Sequence, residues 1–450
     1  MAEQPPSSAP STPITHHLFA ALAGAFISLG LLKFGTPVVL DSRIIAPTDV
    51  QEFIHHTWPV NWAYPILALF ALAALGFFKW RKPQPAWPMI FLLVWLVWQF
   101  ISGTQTVSNS LTSSTLKHFS AAAICFGIGY FSLARVKDLR LFWIVLLLGF
   151  ILVLRVGLEQ HFGGFERTRH YFYTYILPTL AEPPLDYIQK ISTTRIFSTL
   201  FYPNSFAGAI LLFLPISAFA GWQITRRFGQ LPQLVMVSII LLAAGACLYW
   251  SGSKSGWLIL LAMGLFFLLH TSIAKNAKMA LVAAVFLIGV SGFTLKYLGF
   301  FQKGATSVTA RFDYWKAAGQ IFKENPILGT GPGTFSVVYA RVKSADSEMA
   351  RLCHNDYLEQ ASDSGLVGFI AFAVFILGSL AYLYRYRIQK GINLYFIVWL
   401  GLAGICVQGF SEFNFYIPGL AWPIFLLIGW LWAVTNRLDN AEAAHYAPEK

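Results

Sequence analysis

Long apolar runs, separated by short polar stretches, fill the chain from residue 14 to residue 435. A helix needs about 20 largely apolar residues to cross a bilayer, and twelve runs approach that length. They predict spans at 14–34, 61–79, 86–103, 117–134, 141–158, 200–222, 233–250, 256–271, 278–295, 364–384, 393–411 and 419–435. An even number of spans places both chain ends on the same side of the membrane.

The composition excludes a soluble globular protein. Hydrophobic residues make up 56% of the chain, charged residues make up 12%, and the mean hydropathy is +0.59. A soluble domain carries about 25% charged residues. Disordered, collagen-like, coiled-coil and small disulfide-stapled chains are excluded by the same numbers. We therefore predict an all-α polytopic membrane protein with about twelve transmembrane helices.

The distribution of Lys and Arg predicts the orientation. The short loops 79–83, 135–140, 223–232, 272–278 and 385–390 hold thirteen of them, and the opposite short loops hold two. Short loops rich in Lys and Arg face the cytoplasm. The prediction is a disordered cytoplasmic N-terminus at 1–13, a transmembrane domain at 14–435 and a cytoplasmic tail at 436–450. Two long loops, 159–199 and 296–363, then lie outside.

These two outside loops are unexpectedly basic in a chain whose net charge is +12. Arg195 lies in the first loop and Arg311 in the second, with about ten further Lys and Arg around them. Such a face attracts an anionic ligand. The alternative is that these cations pair with nearby carboxylates or with lipid headgroups.

The second loop contains a predicted amphipathic helix that Asn325-Pro326 ends, with Ser307 or Thr309 as its cap. Arg311 and Trp315 are four residues apart and share one face of it. Either the two form a cation–π pair that holds the helix, or Arg311 is presented to a phosphate. The segment Gly329-Thr-Gly331-Pro-Gly333 that follows predicts a tight turn, because Pro332 removes a backbone donor that a phosphate loop needs.

The segment from Cys353 to Gly368 leads into the tenth span. As a helix entering the membrane, it places His354, Leu358 and Gly365 on one face. A histidine at a membrane boundary can accept a proton near neutral pH, although a lone histidine is more often structural. Adjacent side chains on a helix diverge, so Cys353 and His354 are not expected to form a nucleophile pair.

A third polar segment, from Arg195 to Gly208, opens the sixth span. Pro203-Asn204 near its outer end either kinks the helix or places an amide in the boundary region. Lys254, at the end of another span, is expected to reach the membrane interface.

Together these segments resemble the O-antigen ligase family, part of a superfamily with O-antigen polymerases and bacterial protein O-oligosaccharyltransferases. The likeness rests on Arg195 before Tyr-Pro-Asn-Ser-Phe-Ala-Gly, on Arg311-x3-Trp315 before Asn-Pro-x2-Gly-x-Gly, and on His354-Asn355-x9-Gly365-x2-Gly368. It covers about residues 195–370. Relatives often have Thr after Gly-x-x-Gly and Ser-Arg where this chain has Phe369 and Ser253-Lys254.

The resemblance implies a glycosyltransferase-C-like enzyme of the bacterial inner membrane with a periplasmic site. It would move a glycan from undecaprenyl diphosphate to a sugar hydroxyl of the lipid A core. His354 would be the catalytic base, and Arg195 and Arg311 would bind the diphosphate. Further substrate-binding residues are predicted at Asn204, Asn355, Trp315 and Lys254.

The expected reaction inverts the anomeric centre and uses no cofactor or metal. Asp346 and Glu348 leave open a metal-dependent alternative. The expected partners are the lipid-linked donor, the glycan acceptor and membrane lipids, and nucleic acid is not expected. A polymerase or a protein-glycosylating enzyme of the same superfamily, or a permease for a lipid-linked anion, are the alternative functions.

Overall fold

A computed structural model describes residues 13–80, 82–177, 188, 192–302, 306–345, 347–388 and 391–445. Within these residues, eight helices are long and apolar enough to cross a membrane, and four shorter apolar helices accompany them. The chain is an all-α polytopic membrane protein, as predicted. Regular strands are absent from the described residues, where one isolated parallel bridge joins Gly35 to Leu200.

Each of the twelve predicted spans coincides with a helix. In chain order they are α1 (Ile14–Lys33), α2 (Val60–Leu75), α3 (Trp87–Gly103), α4 (Asn109–Arg135), α5 (Arg140–Gly164), α6 (Pro203–Phe228), α7 (Gln230–Ser251), α8 (Lys254–Leu269), α9 (Lys275–Gln302), α10 (Asp356–Tyr386), α11 (Leu394–Gln408) and α12 (Pro418–His445). Three bounds differ by eight residues or more from the prediction. Helices α4 and α10 each begin eight residues before their predicted starts at 117 and 364, and α12 continues past residue 435.

Local signals explain where several helices begin. Asn355 caps α10, because its Oδ1 accepts hydrogen bonds from the amides of Tyr357 and Leu358 at 3.1 Å. Ser253 caps α8 in the same way through the amide of Gly256. Pro203 occupies the first turn of α6, where a missing amide costs nothing. Pro203-Asn204 therefore starts a helix, and the kink considered from the sequence is not there.

The long loop 296–363 is mostly helical. Helix α9 continues to Gln302, and two further helices follow, the loop helix Thr306–Glu324 and the short helix Phe335–Val342. The loop helix ends just before Asn325-Pro326, as predicted. It begins at Thr306, so Ser307 and Thr309 lie inside it and are not its cap.

Buried helices hold the bundle together at its centre. Helix α6 packs against α5, α7 and α11, and α12 packs against α4 and α1. Helix α12 is the most buried of the long spans, whereas α9 is the least buried and packs mainly on α8. Large apolar side chains on the outer faces, such as Leu69, Leu242 and Ile288, are more than half exposed, as a lipid-facing surface requires.

One end of the bundle gathers the segments that matter for function. Helices α6, α8, α10 and α12 begin there, and α7, α9 and α11 end there. The loop helix lies across this end and packs on α10. The three polar segments of the sequence thus converge at a single end of the molecule.

Candidate active site

Glu412 lies at the centre of the candidate site. It sits in the loop between α11 and α12, and its side chain is 1% exposed. Its Oε1 accepts hydrogen bonds from Nδ2 of Asn204 at 2.7 Å and from Nη2 of Arg311 in a close ion pair. Its Oε2 lies 3.1 Å from Nδ1 of His354. One buried carboxylate therefore joins three segments that are remote in the sequence.

The surroundings of Glu412 keep it ionised. Burial alone raises the pKa of this carboxyl group. The charge of Arg311, the hydrogen bond and charge of His354 and the charge of Arg195 act in the opposite direction and outweigh burial. The pKa of Glu412 consequently lies below its ordinary value of 4.5, and the group is a carboxylate at neutral pH.

His354 precedes α10 and lies outside that helix. Its φ of 53° is in the left-handed region, which a non-glycine residue adopts at a cost of about 1–3 kcal/mol. The indole Nε1 of Trp315 donates to the carbonyl oxygen of His354 at 3.3 Å. The imidazole is stacked on Tyr314 and meets the edge of Phe413, with ring centroids 5.8 and 4.6 Å away. The predicted helical face with Leu358 and Gly365 is therefore wrong for His354.

The orientation of the His354 ring assigns different roles to its two nitrogens. Nδ1 faces the Glu412 carboxylate. Because a carboxylate can only accept a hydrogen bond, Nδ1 carries the proton and donates it in that bond, which fixes the tautomer. Nε2 then carries the lone pair, and the side chain is 25% exposed. This arrangement suits a general base.

Arg195 lies in the loop before α6, where directed contacts hold its guanidinium. Its Nε donates to the carbonyl of Ser251 at 2.7 Å, and its Nη2 donates to Oδ1 of Asn204 at 2.8 Å. Asn204 thus links Arg195 to Glu412. Burial lowers the pKa of Arg195, and the charge of Glu412 opposes that shift. Gly252, at a φ of 63°, packs against this side chain, and a Cβ there would lie 3.1 Å from Nε.

Two lysines extend the basic region beyond the arginines. Nζ of Lys254 lies 3.7 Å from the ring centroid of Phe300, and it interacts electrostatically with Arg195 and Arg311. Lys296 on α9 interacts in the same way with Arg195 and Lys254. These four basic side chains outnumber the carboxylate of Glu412, so the site retains excess positive charge for an anion.

Most of the predicted site residues meet here. His354, Arg311, Arg195 and Asn204 share the Glu412 network, and Lys254 lies beside it. Trp315 holds the backbone of His354 and is not paired with Arg311, so the cation–π alternative is wrong. Asn355 uses its side-chain oxygen to cap α10 and is 7% exposed, which indicates a structural position.

Sequence reasoning missed Glu412. A signal for it was present, because Glu412 is the only Asp or Glu between residues 364 and 438. When a single acidic residue stands alone among apolar spans, it is by default a candidate for the functional site.

The glycines of the motifs position the backbone of the site. Gly329, Gly331 and Gly333 all have positive φ, so the predicted tight turn is confirmed. The amide of Gly333 donates to Oδ2 of Asp363 on α10 at 2.6 Å. Gly365 has a φ of 67°, and a Cβ there would lie 2.1 Å from the carbonyl oxygen of Ile327. This turn therefore lies directly on the helix that His354 precedes.

The neighbouring Cys353 does not join the network. Cys353 is fully buried and its Sγ donates to the carbonyl of Asn355 at 3.1 Å. Burial, followed by the charge of Glu359, raises the pKa of this thiol well above its ordinary value, which makes it a poor nucleophile. Asp346, one of the two acids considered for a metal, lies outside the described residues.

Residues 236–373 match the family model described as O-Antigen ligase. The chain is similar to this family over these residues, which make up about a third of its length. The match supports the resemblance predicted from the motifs. The match contains Lys254, Arg311 and His354, whereas Arg195, Asn204 and Glu412 lie outside it.

The chain is also similar to an uncharacterized protein of Haemophilus influenzae. The two are 30% identical over 169 residues, which is 32% of this chain and 42% of that protein. The chain therefore matches less than half the length of that relative.

Proposed function

We propose that this protein transfers a glycan from undecaprenyl diphosphate to a sugar hydroxyl of the lipid A core. The observation that carries the proposal is the Glu412 carboxylate, which holds His354, Arg311 and the Asn204–Arg195 pair in one network. A base and directed cations within a single network are what such a transfer needs.

His354 is the proposed general base. The acceptor hydroxyl attacks the anomeric carbon of the donor sugar, and its proton passes to Nε2 of His354. Glu412 stabilises the imidazolium that forms, because its carboxylate already accepts a hydrogen bond from Nδ1. A positioned base of this kind contributes roughly 10²–10⁴-fold to the rate.

Arg195 and Arg311 are the proposed partners of the leaving group. As the bond from the anomeric carbon to the phosphate oxygen breaks, its electron pair leaves with the diphosphate. Guanidinium groups fixed beforehand stabilise that growing negative charge without reorganising, and Lys254 adds further positive charge. A single displacement on the opposite face of the sugar inverts the anomeric centre.

We further propose that the site faces the periplasm, with both termini in the cytoplasm. The loops at the opposite end of the bundle carry most of the short-loop Lys and Arg, which supports this orientation in a bacterial inner membrane. The substrates are anchored in the membrane, so a site at the end of a helical bundle can meet both of them.

The proposal is tested in a strain that lacks the gene and is complemented with wild-type protein, His354→Ala or His55→Ala. His55 is an exposed histidine in the short helix Val50–His55, so its variant is a matched control. We expect surface glycan to be restored by wild type and His55→Ala, with long unattached chains accumulating on the carrier in His354→Ala at normal protein level.

Other results would contradict the ligase assignment. Single repeat units on the lipid core indicate a polymerase, and loss of glycan from proteins alone indicates a protein-glycosylating enzyme. Full attachment of glycan by His354→Ala removes this histidine from the mechanism.

A further inference from the structure

An open groove lies between α2, α3 and α4, away from the Glu412 network. Its volume is about 850 Å³, within the range of roughly 300–1,000 Å³ typical of ligand sites. Most of its lining is apolar, and small residues such as Ala68, Ala71 and Gly103 leave the space. The polar lining residues are Tyr64, Asn109, Thr112, Ser113, Lys117 and Ser120.

Lys117 is the unusual residue of this groove. It lies eight residues into α4, about 12 Å along the axis at the helical rise of 1.5 Å per residue. Its side chain is exposed, and within the described part of the chain it makes no ion pair or hydrogen bond. A cation that lines a mostly apolar groove of a membrane protein is costly to keep there unless an anion or water meets it.

The groove reaches the turn that carries Gly329, Gly331 and Gly333. Oγ1 of Thr112, a lining residue, donates to the carbonyl of Pro332 at 3.0 Å, and the amide of Val107 donates to the carbonyl of Thr330. The same turn is hydrogen-bonded to α10, the helix that follows His354, because the amide of Gly333 donates to Asp363. The groove thus approaches α10 from α2, α3 and α4, while Arg195 lies in the loop before α6 and Lys254 lies at the start of α8.

We infer that this groove binds the acceptor, an acylated glycolipid whose phosphate pairs with Lys117. The inference rests on the proposed function, in which both substrates are anchored in the membrane. In that proposal the diphosphate of the donor binds Arg195 and Arg311, so the acceptor lipid needs another site. The groove offers an apolar channel for acyl chains and one unpaired cation for a phosphate.

Lipid binding tests the inference without requiring turnover. Full-length protein in phosphatidylcholine nanodiscs is titrated with lipid A-core and, separately, with phosphatidylglycerol, and bound lipid is measured by native mass spectrometry. Lys117→Ala should weaken binding of lipid A-core about tenfold or more, since a charged hydrogen bond is lost. Lys117→Arg should retain most of it. Lys275→Ala, which changes an exposed lysine at the other end of the bundle, should bind as wild type does.

A second variant tests the groove itself. Ala68 is exposed in the groove, so Ala68→Trp fills the space without displacing a buried neighbour. It should also weaken lipid A-core binding and should raise the KM for acceptor while leaving the KM for donor unchanged. His354→Ala should still bind lipid A-core normally, which separates this inference from the proposed chemistry.

Three results would overturn the inference. Unchanged lipid A-core binding in both Lys117→Ala and Ala68→Trp would remove the groove as its site. Equal affinity for phosphatidylglycerol would make the groove a general site for anionic lipids. A raised KM for donor with an unchanged KM for acceptor would assign the groove to the other substrate.

Discussion

Oε2 of Glu412 lies 3.1 Å from Nδ1 of His354, although 58 residues separate the two in the chain. The backbone of Asp356 supports this pair, because its amide donates to the carbonyl oxygens of Gly409 and Glu412. The start of α10 and the loop after α11 are thus bound to each other where the histidine and the carboxylate meet. A buried carboxylate behind an imidazole orients the ring and favours its protonated form during proton transfer.

Replacing Glu412 by Gln should reduce kcat by about 10²–10⁴-fold, because His354 loses the charge that stabilises its protonated form. Glu412→Asp should lose less activity, because aspartate keeps the negative charge on a side chain that is one methylene shorter. Steady-state transfer assays with purified protein measure this effect. Glu324→Gln, a change at an exposed carboxyl group of the loop helix, serves as the control. Wild-type kcat in Glu412→Gln would show that the carboxylate has no part in catalysis.

The lowered pKa of Glu412 also predicts a dependence of stability on pH. Its pKa in the folded protein lies below the ordinary value of 4.5, so above that value its full contribution to the free energy of unfolding is present. The contribution is lost as pH falls through the folded pKa. Thermal unfolding in detergent should show wild type more stable than Glu412→Gln by a constant margin down to about pH 5. The margin should shrink below pH 4.5, and one that instead grows in acid would contradict the assignment.

Lysine should replace the two arginines poorly. Arg195 uses Nε and Nη2 toward different acceptors, and Arg311 places Nη2 on Glu412. An ammonium group does not reproduce that directed geometry. We expect Arg195→Lys and Arg311→Lys to lower kcat/KM for the donor about tenfold or more, as loss of a charged hydrogen bond predicts. Arg341→Lys, at an exposed position, is the control. Near wild-type kcat/KM in both variants would mean that charge alone suffices.

Gly365 should resist substitution for steric reasons. Its φ of 67° and a Cβ position only 2.1 Å from the carbonyl of Ile327 make any side chain strained. Gly365→Ala should lower the free energy of unfolding by about 1–3 kcal/mol, the usual cost of such a conformation. Gly245→Ala is the matched control, because nothing lies within 4 Å of a Cβ there. Denaturant titration of both variants checks the prediction, and equal stabilities would refute it.

Transfer should continue when divalent cations are chelated, because the proposed chemistry places cationic side chains on the diphosphate. Purified protein is assayed with and without EDTA. Loss of activity that Mg²⁺ or Mn²⁺ restores would support the alternative that Asp346 and Glu348 hold a metal.

The sequence by itself determined the architecture. Apolar runs of the length of a bilayer can only be helices in lipid, because every backbone polar group must be paired within its own segment. Hence all twelve predicted spans coincide with helices, and local signals such as Asn325-Pro326 ended the loop helix where expected. The order and spacing of the motifs around Arg195, Arg311 and His354 indicated the resemblance to the O-antigen ligase family, which the match over residues 236–373 supports.

Only the tertiary structure decided which side chains meet. The sequence gives no measure of distance between the start of α10 and the loop after α11, so Glu412 stayed unnoticed. His354 was expected on a helical face, and Asn355 was expected to bind substrate. The cap formed by Asn355 places the helix start after the histidine and turns its ring toward Glu412. Contacts of this kind arise from packing between remote segments, and local propensity does not encode them.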